Sequence, residues 1–484
     1  MSDDVNTNMT PAPPAEAVPE AGGPSGGKKK KEKIQYETTL QERILYPVFA
    51  MGQNMSSGMI GGFMLLFMTD TLFIDPLICS AMLLVTRVWD AINDPLFGII
   101  VDRSHFKSGK FKPWMRAASI AVPLTTALMF LVPTTFPMGL KIILVTLFYM
   151  MWDMSYTMAD VPNLSMLTSI TSNLNERTHL LSLTGVIGLV GTVIFQVGLV
   201  PQIETIGFRP VAVIVSVVVF VCMFFFPMVA KERNRETVVA EERYKLRDIW
   251  DYVKGNKYML YFFAFFCIFG MFNIPLSVYV LTNCVPGGLA NMAYYTLAGI
   301  PFLLGSYLVV PQLAKRFDRL KLFKIMIFVL ISAGVSAFFA GYSNAAVYGI
   351  FYVLKATLLV GTMLLLTLAT DFVEYGNYKT GMRKEGITFA AQTFSSKFVG
   401  ATAAAMAAVV LGLIKYNGEA AVQSASTLQW LWILSNWLPV AGIVVGLPFL
   451  FKVNYRTADI QIMADINTGK ISREEGDALM SRKY

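Results

Sequence analysis

RVWDAINDPLFGIIVDRSHFKSGKFKPW, residues Arg87 to Trp114, opens inside a long apolar run and still carries two aspartates four residues apart, Asp90 and Asp94. A carboxylate needs no partner in water but is costly in a nonpolar surrounding. What surrounds this stretch therefore decides the fold, and composition answers: 55% of the 484 residues are hydrophobic and 15% charged, against about 25% charged in soluble domains. A scan over about 19 residues finds twelve apolar segments, at 43 to 69, 77 to 102, 115 to 134, 139 to 168, 178 to 200, 208 to 230, 258 to 283, 290 to 313, 321 to 341, 345 to 371, 385 to 414 and 427 to 452. Each is long enough to cross a hydrocarbon core of about 30 Å. Barrel strands would alternate over about ten residues, and these runs do not. The expected fold is an all-α integral membrane protein of twelve transmembrane helices.

Lys and Arg crowd alternate connections: Arg103 to Lys112 after the second span, Lys231 to Lys257 after the sixth, Lys315 to Arg319 after the eighth and Lys379 to Lys384 after the tenth. The positive-inside tendency then places both termini in the cytoplasm of a cell-membrane protein. The basic central connection divides the chain into a tail (1–40), a six-helix half (41–230), the connection (231–257), a second six-helix half (258–452) and a C-terminal tail (453–484). The first 35 residues mix Pro, Ala, Gly and Glu before the KKKKEK run at 28–33, a composition expected to stay disordered. A full span follows that run, so no signal peptide is expected. The net charge of +8 fits a surface facing anionic lipid, and no nucleic-acid motif accompanies it.

Several chemistries lack their residues. Cys79, Cys222, Cys267 and Cys284 are scattered without paired spacing, as small hydrophobes rather than ligands. Two histidines, His105 and His179, make a histidine metal centre improbable. No phosphate-cradling GxxxxGK[ST] loop occurs, and no nucleophile stands with a base. A non-enzymatic transporter without cofactor, driven by an ion gradient, is the expectation.

At 1.5 Å per residue, Asp90 lies about 20 Å along the second span, close to mid-membrane. Asp90, Asn93 and Asp94 share one helical face, and three oxygen-bearing side chains at that spacing suit a proton or a small hard cation. Asp90 and Asp94 would be metal ligands if that cation is sodium. The plainer alternative is a buried salt bridge with Arg87, although one arginine cannot neutralise two carboxylates. In the fourth span Asp153, Thr157 and Asp160 line one face. Lys397 lies about 18 Å into the eleventh span with Gln392 and Thr393 a turn before it, and Lys355 about 15 Å into the tenth. Lys355 needs a partner at that depth, either a carboxylate such as Asp153 or the negative group of a substrate.

Two six-helix halves about a midplane site resemble the plan of the major facilitator superfamily. Gly98, Asp102, Arg103, Gly109 and Lys110 resemble its signature between spans two and three, where Asp102 and Arg103 are expected to form a clasp holding one conformation. More specifically, WDAINDP (Trp89 to Pro95), GKFKPW (Gly109 to Trp114), YTMADVP (Tyr156 to Pro162), DFVEYGNYKTGMRKEG (Asp371 to Gly386) and AAQTFSSKFVG (Ala390 to Gly400) resemble the glycoside-pentoside-hexuronide:cation symporter family, in order, from about residue 40 to 455. The resemblance implies symport of a sugar, glycoside or hexuronide with sodium or protons, by alternating access. By motif, Asp90, Asn93, Asp94 and Thr157 match its cation-site positions, and Asp160 and Lys397 match positions at the sugar and cation sites.

This chain departs from the family where sugar hydroxyls are anchored. Asn54 stands where an aspartate is known, Gly185 or a neighbour where an arginine is, and Leu164 where a tryptophan is. The substrate set expected here is Asn54, Asp153, Asp160, Lys355, Gln392, Thr393 and Lys397, with the lysines favouring an anionic substrate. The alternative on the same fold is an uncoupled mover of lipid or another small molecule. The expected partners are a glycoside, a coupling cation and membrane lipid, and one chain suffices for the two-half plan.

Overall fold

The twelve apolar runs become twelve helical rods in a computed structural model that describes residues 36–104, 106–233, 246–359, 363–381 and 384–484. The expected disordered tail lies outside them, apart from its last few residues. The first half comprises α1 (Leu40–Leu66), α2 (Pro76–Arg103), α3 (Lys112–Phe130), α4 (Met138–Ile170), α5 (Leu174–Val193) and α6 (Phe208–Phe224). A helix in the central connection, α7 (Leu246–Gly255), leads to the second half. There the seventh rod is broken into α8 (Lys257–Phe272) and α9 (Ser277–Asn283), followed by α10 (Asn291–Arg316) and α11 (Arg319–Ala340). The tenth rod is α12 (Ala345–Leu359) and α13 (Met363–Thr380), and α14 (Glu385–Leu413) and α15 (Ala425–Lys452) complete the bundle. All described residues are helix, turn or irregular, with no strand among them.

Seven helices among the described residues are long and apolar enough to cross a membrane by length and composition. The second rod is as long, 28 residues, but carries Arg87, Asp90 and Asp94, which lower its mean hydropathy without shortening it.

Helix starts follow local chemistry. Thr39 accepts from the Glu42 amide while the Glu42 carboxylate accepts from Thr39, a reciprocal capping box for α1. Asp75 caps α2 ahead of Pro76, whose missing N–H is an orphan at that position anyway. Asn173, Asn256, Asp318 and Ser424 cap α5, α8, α11 and α15 with side-chain oxygens.

The face bearing the start of α1, the end of α6, α7 and the end of α15 is called the terminal face here, and the opposite one the far face. Arg233 pairs with Glu42 across the terminal face at 2.8 Å, tying the end of the sixth rod to the start of the first. The C-terminal segment is not a bare tail: α16 (Thr457–Asn467) and α17 (Arg473–Leu479) lie against α13, with Tyr378 donating to Asp477 at 2.6 Å. Asp459 there accepts hydrogen bonds from Ser481 and Tyr484; burial pushes its carboxyl up, but those bonds outweigh it and hold the group below its ordinary range.

Two buried apolar clusters fill the bundle. One runs through the first half and on into the far-face ends of the second, from Phe49 and Phe63 to Tyr279, Tyr416 and Trp432. The other, with Phe262, Phe323, Phe372 and Tyr455, fills the terminal-face part of the second half alone. The halves are thus fused by apolar packing on the far face, while their cores part toward the terminal face. Polar bonds reinforce the fusion: Tyr416 donates to Asp70 at 2.8 Å, Thr69 and Tyr279 share a bond of 2.9 Å, and Leu289 N donates to Glu204.

Candidate functional site

α2 and α14 cross between the halves, and their facing sides carry the charges. Lys397 of α14 forms an ion pair with Asp94 and stands 3.7 Å from Asp90. Arg87 approaches Asp90 from the next turn at 3.9 Å and donates to Tyr149 at 3.3 Å. Asp153 of α4 lies beside Asp90 and Arg87; it is 7% exposed, and one of its carboxylate oxygens has no hydrogen-bond partner. Three acidic side chains therefore face two basic ones, one acid more than the bases can pair. The expected salt bridge with Arg87 exists, and as anticipated it does not balance the acids.

Thr157 joins α4 to this centre. Its hydroxyl lies 2.9 Å from Asp94 Oδ1 and 3.0 Å from the Asp153 carbonyl, and it accepts from Asn93 Nδ2 at 2.9 Å. The sequence face Asp90, Asn93, Asp94 and the opposing Thr157 thus converge on one point. Their oxygens are held there by packing on both sides: Trp89 donates to the Met150 carbonyl at 3.2 Å, and Trp152 donates to Ser56 at 2.9 Å. Lys397 is 47% exposed, Asp94 27% and Asp90 16%, so the ion pair is not sealed off by packing.

The remaining sequence candidates scatter. Asp160 accepts from Gln53 at 3.0 Å, and Gln53 accepts from Asn163 at 3.3 Å. Gln53, not its neighbour Asn54, is thus the first-rod residue that meets the fourth-rod acid; Asn54 is exposed, with its amide near Gly188 of α5. Gln392 has a buried carbonyl oxygen without a partner, and Thr393 is exposed. Lys355 does not meet Asp153. It donates to Asn436 of α15 at 3.0 Å, in a separate cavity of the second half. Nothing in the spacing of Gln53 or Asn436 marked them; only the third dimension pairs them with Asp160 and Lys355.

The signature loop is organised by a residue outside it. Glu232 accepts from the backbone amides of Lys110, Phe111 and Lys112 at 2.7, 2.9 and 2.8 Å. An anion at the start of α3 satisfies orphan donors and faces the positive end of the helix dipole. Gly109 adopts φ +126° with the Glu232 carboxylate against its Cα, leaving no room for a Cβ. Gly98 has open space around it, Arg103 is exposed, and the side chain of Asp102 lies outside the described part of the structure. Glu232→Ala should lower the thermal midpoint in detergent by an amount corresponding to about 1.5–3 kcal/mol, the range for bonds to a charged acceptor. Glu232→Gln should recover part of that loss, and an unchanged midpoint in the alanine variant would count against this role.

Residues 45–456 match the family model described as MFS/sugar transport protein, and the chain belongs to that family. It is 27% identical over 457 residues to the isoprimeverose transporter of Lactiplantibacillus pentosus, covering 88% of this chain and 91% of that one. It is 26% identical over 424 residues to the inner membrane symporter YicJ of Escherichia coli K12, covering 83% and 88%. Among solved structures it resembles a D-xylose-proton symporter, with a TM-score of 0.60 at 13% identity over 86% of this chain and 98% of that one, which bears on the fold alone. The protein is thus a multi-pass membrane sugar transporter of the major facilitator superfamily, in a family of transporters rather than enzymes.

Proposed function

We propose that this transporter couples the downhill entry of a monovalent cation, sodium or a proton, to uptake of a sugar or glycoside by alternating access, with both termini in the cytoplasm. The observation that carries the reading is Lys397 bridging Asp90 and Asp94 within a group of three acids and two cations. Among the described residues no cluster of three or more His, Cys, Asp or Glu is placed to hold a metal ion; in this conformation the lysine ammonium stands between the acids. An entering cation replaces it there, with Asn93 and Thr157 adding neutral oxygens, and the freed ammonium turns to substrate oxygens in the cleft. Each ligand then favours the arrangement the other needs, which is the reciprocity that coupling requires. The fused far face supports reading this conformation as closed outward. The relatives' names, a sugar transporter and a symporter, point the same way.

The test uses purified protein in liposomes, a panel of labelled glycosides, and an imposed sodium or proton gradient. Accumulation above the external concentration under one gradient is the expected result. Uptake that only equilibrates under both would leave a facilitator, without coupling.

A further inference from the structure

The second half holds a cavity of about 230 Å³ that shares no residue with the ion-pair centre. It forms where the seventh rod is interrupted. α8 ends at Phe272, Pro275 contributes no backbone N–H to continue the helix, and Asn273, Ile274 and Ser277 of the break line the space. The break lies about 22 Å along the rod from the terminal face, deep in the membrane. Non-helical backbone at that depth is tolerated where it is buried in protein or lines a cavity, and broken helices are where transporters of this general kind bind their ligands.

Among the described residues that line it, the cavity has one charge and no counter-charge. Lys355 reaches it from α12 and donates to Asn436 Oδ1 at 3.0 Å. The Asn436 amide in turn donates to the Trp432 carbonyl at 3.0 Å and to Ser435 Oγ at 3.3 Å, which orients its carbonyl toward the ammonium. An ammonium has three donors; a single neutral oxygen occupies one, and no Asp or Glu lines the cavity. The wall beside it is aromatic: the rings of Tyr348 and Trp432, and of Tyr348 and Tyr352, lie 6.1 Å apart. Flat faces suit a flat or chair-shaped ring, and the size suits one ring with its acid rather than a lipid chain.

We propose that this cavity is a ligand site for a carboxylate or sulfonate carried on a single ring, its charge meeting Lys355 and its ring lying against the wall of Tyr348, Tyr352 and Trp432. Aryl acids and sugar acids share this chemistry, and the test separates them. The site goes beyond the coupling reading and stands whether or not that reading does.

Calorimetry on the full chain in detergent would compare phenylacetate with phenylacetamide and D-glucuronate with D-glucose. At least one acid is expected to bind about tenfold or more tighter than its neutral counterpart, a difference of about 1.4 kcal/mol that one charge-assisted hydrogen bond supplies. Lys355→Met should erase that preference. Asn436→Asp, which gives the lysine a fixed counter-ion, should do the same, and it serves if the methionine variant does not fold. Lys470→Met, which removes an exposed lysine of the C-terminal segment far from both centres, should leave the acid's affinity within about twofold, since sites without shared partners act independently. Phenylacetate binding would assign an aryl acid, and glucuronate binding a sugar acid. The proposal is overturned if neither acid outbinds its neutral form, or if both cavity variants bind like the unmodified protein.

Discussion

Asp94→Asn should abolish accumulation against a gradient while leaving equilibrative exchange of the same sugar. Asp94 is the acid that Lys397 contacts directly, and Thr157 supports it from α4. Neutralising it leaves only two acids facing Arg87 and Lys397, so a cation entering the site would find no acid left over to hold it. The attraction that makes binding cation-dependent is gone, but the halves can still rock with the site empty of cation. With one cation per sugar, a tenfold gradient supports about tenfold accumulation, or 1.4 kcal/mol; the variant should level at the external concentration. Asp90→Asn should behave alike, through its contact with Arg87 and Lys397. Lys397→Met differs in kind: it removes the competing ammonium, so the half-saturating cation concentration for exchange should fall even as coupling fails. If both asparagine variants accumulate sugar as the unmodified protein does, the cation binds elsewhere.

The charged face on α2 was legible because helical periodicity and membrane depth are both read along one chain. Asp90, Asn93 and Asp94 had to share a side, and a costly side had to find partners. Thr157 and Lys397 were legible at the level of depth, since each lies at a similar distance from its own helix end. Partners drawn from rods remote in the chain were not. Gln53 and Asn54 are adjacent and equally polar, and only the rotation of α1 against α4 turns Gln53 to Asp160. Lys355 was expected to meet an acid or a substrate, and meets Asn436, because α12 packs toward α10 and α11 and places the lysine on the side of α15 rather than α4. The break in the seventh rod was also hidden. Its residues are apolar enough to continue a hydropathy run, so Asn273 and Pro275 interrupt the helix without interrupting the span. Glu232 lay in a connection read only for its net positive charge, where a single acid carries no periodic signal.

Gly418→Val should drive the protein out of the conformation described here. Gly418 follows α14 in the far-face connection and sits directly on the backbone of Thr69 and Asp70, at the end of the first rod. A Cβ there would overlap the Thr69 carbonyl oxygen, and backbone cannot rotate away as a side chain would. The same contact brings Tyr416 to Asp70 and Tyr279 to Thr69, so relief requires the two halves to separate on this face. Overpacking of this kind costs about 1–3 kcal/mol, and a penalty that falls on one of two states shifts their ratio by about fivefold to about 150-fold. Spin labels at Phe136 in the first half and Val422 in the second, both exposed, would read the change as a longer far-face distance, accompanied by a similar loss of transport rate. Gly400→Ala is the control, because its Cβ would meet nothing within 4 Å, and it should leave distance and rate unchanged. A Gly418→Val protein with the original distance and normal transport would mean that the far-face contact yields without cost, and that closing it is not one of the two states between which this transporter moves.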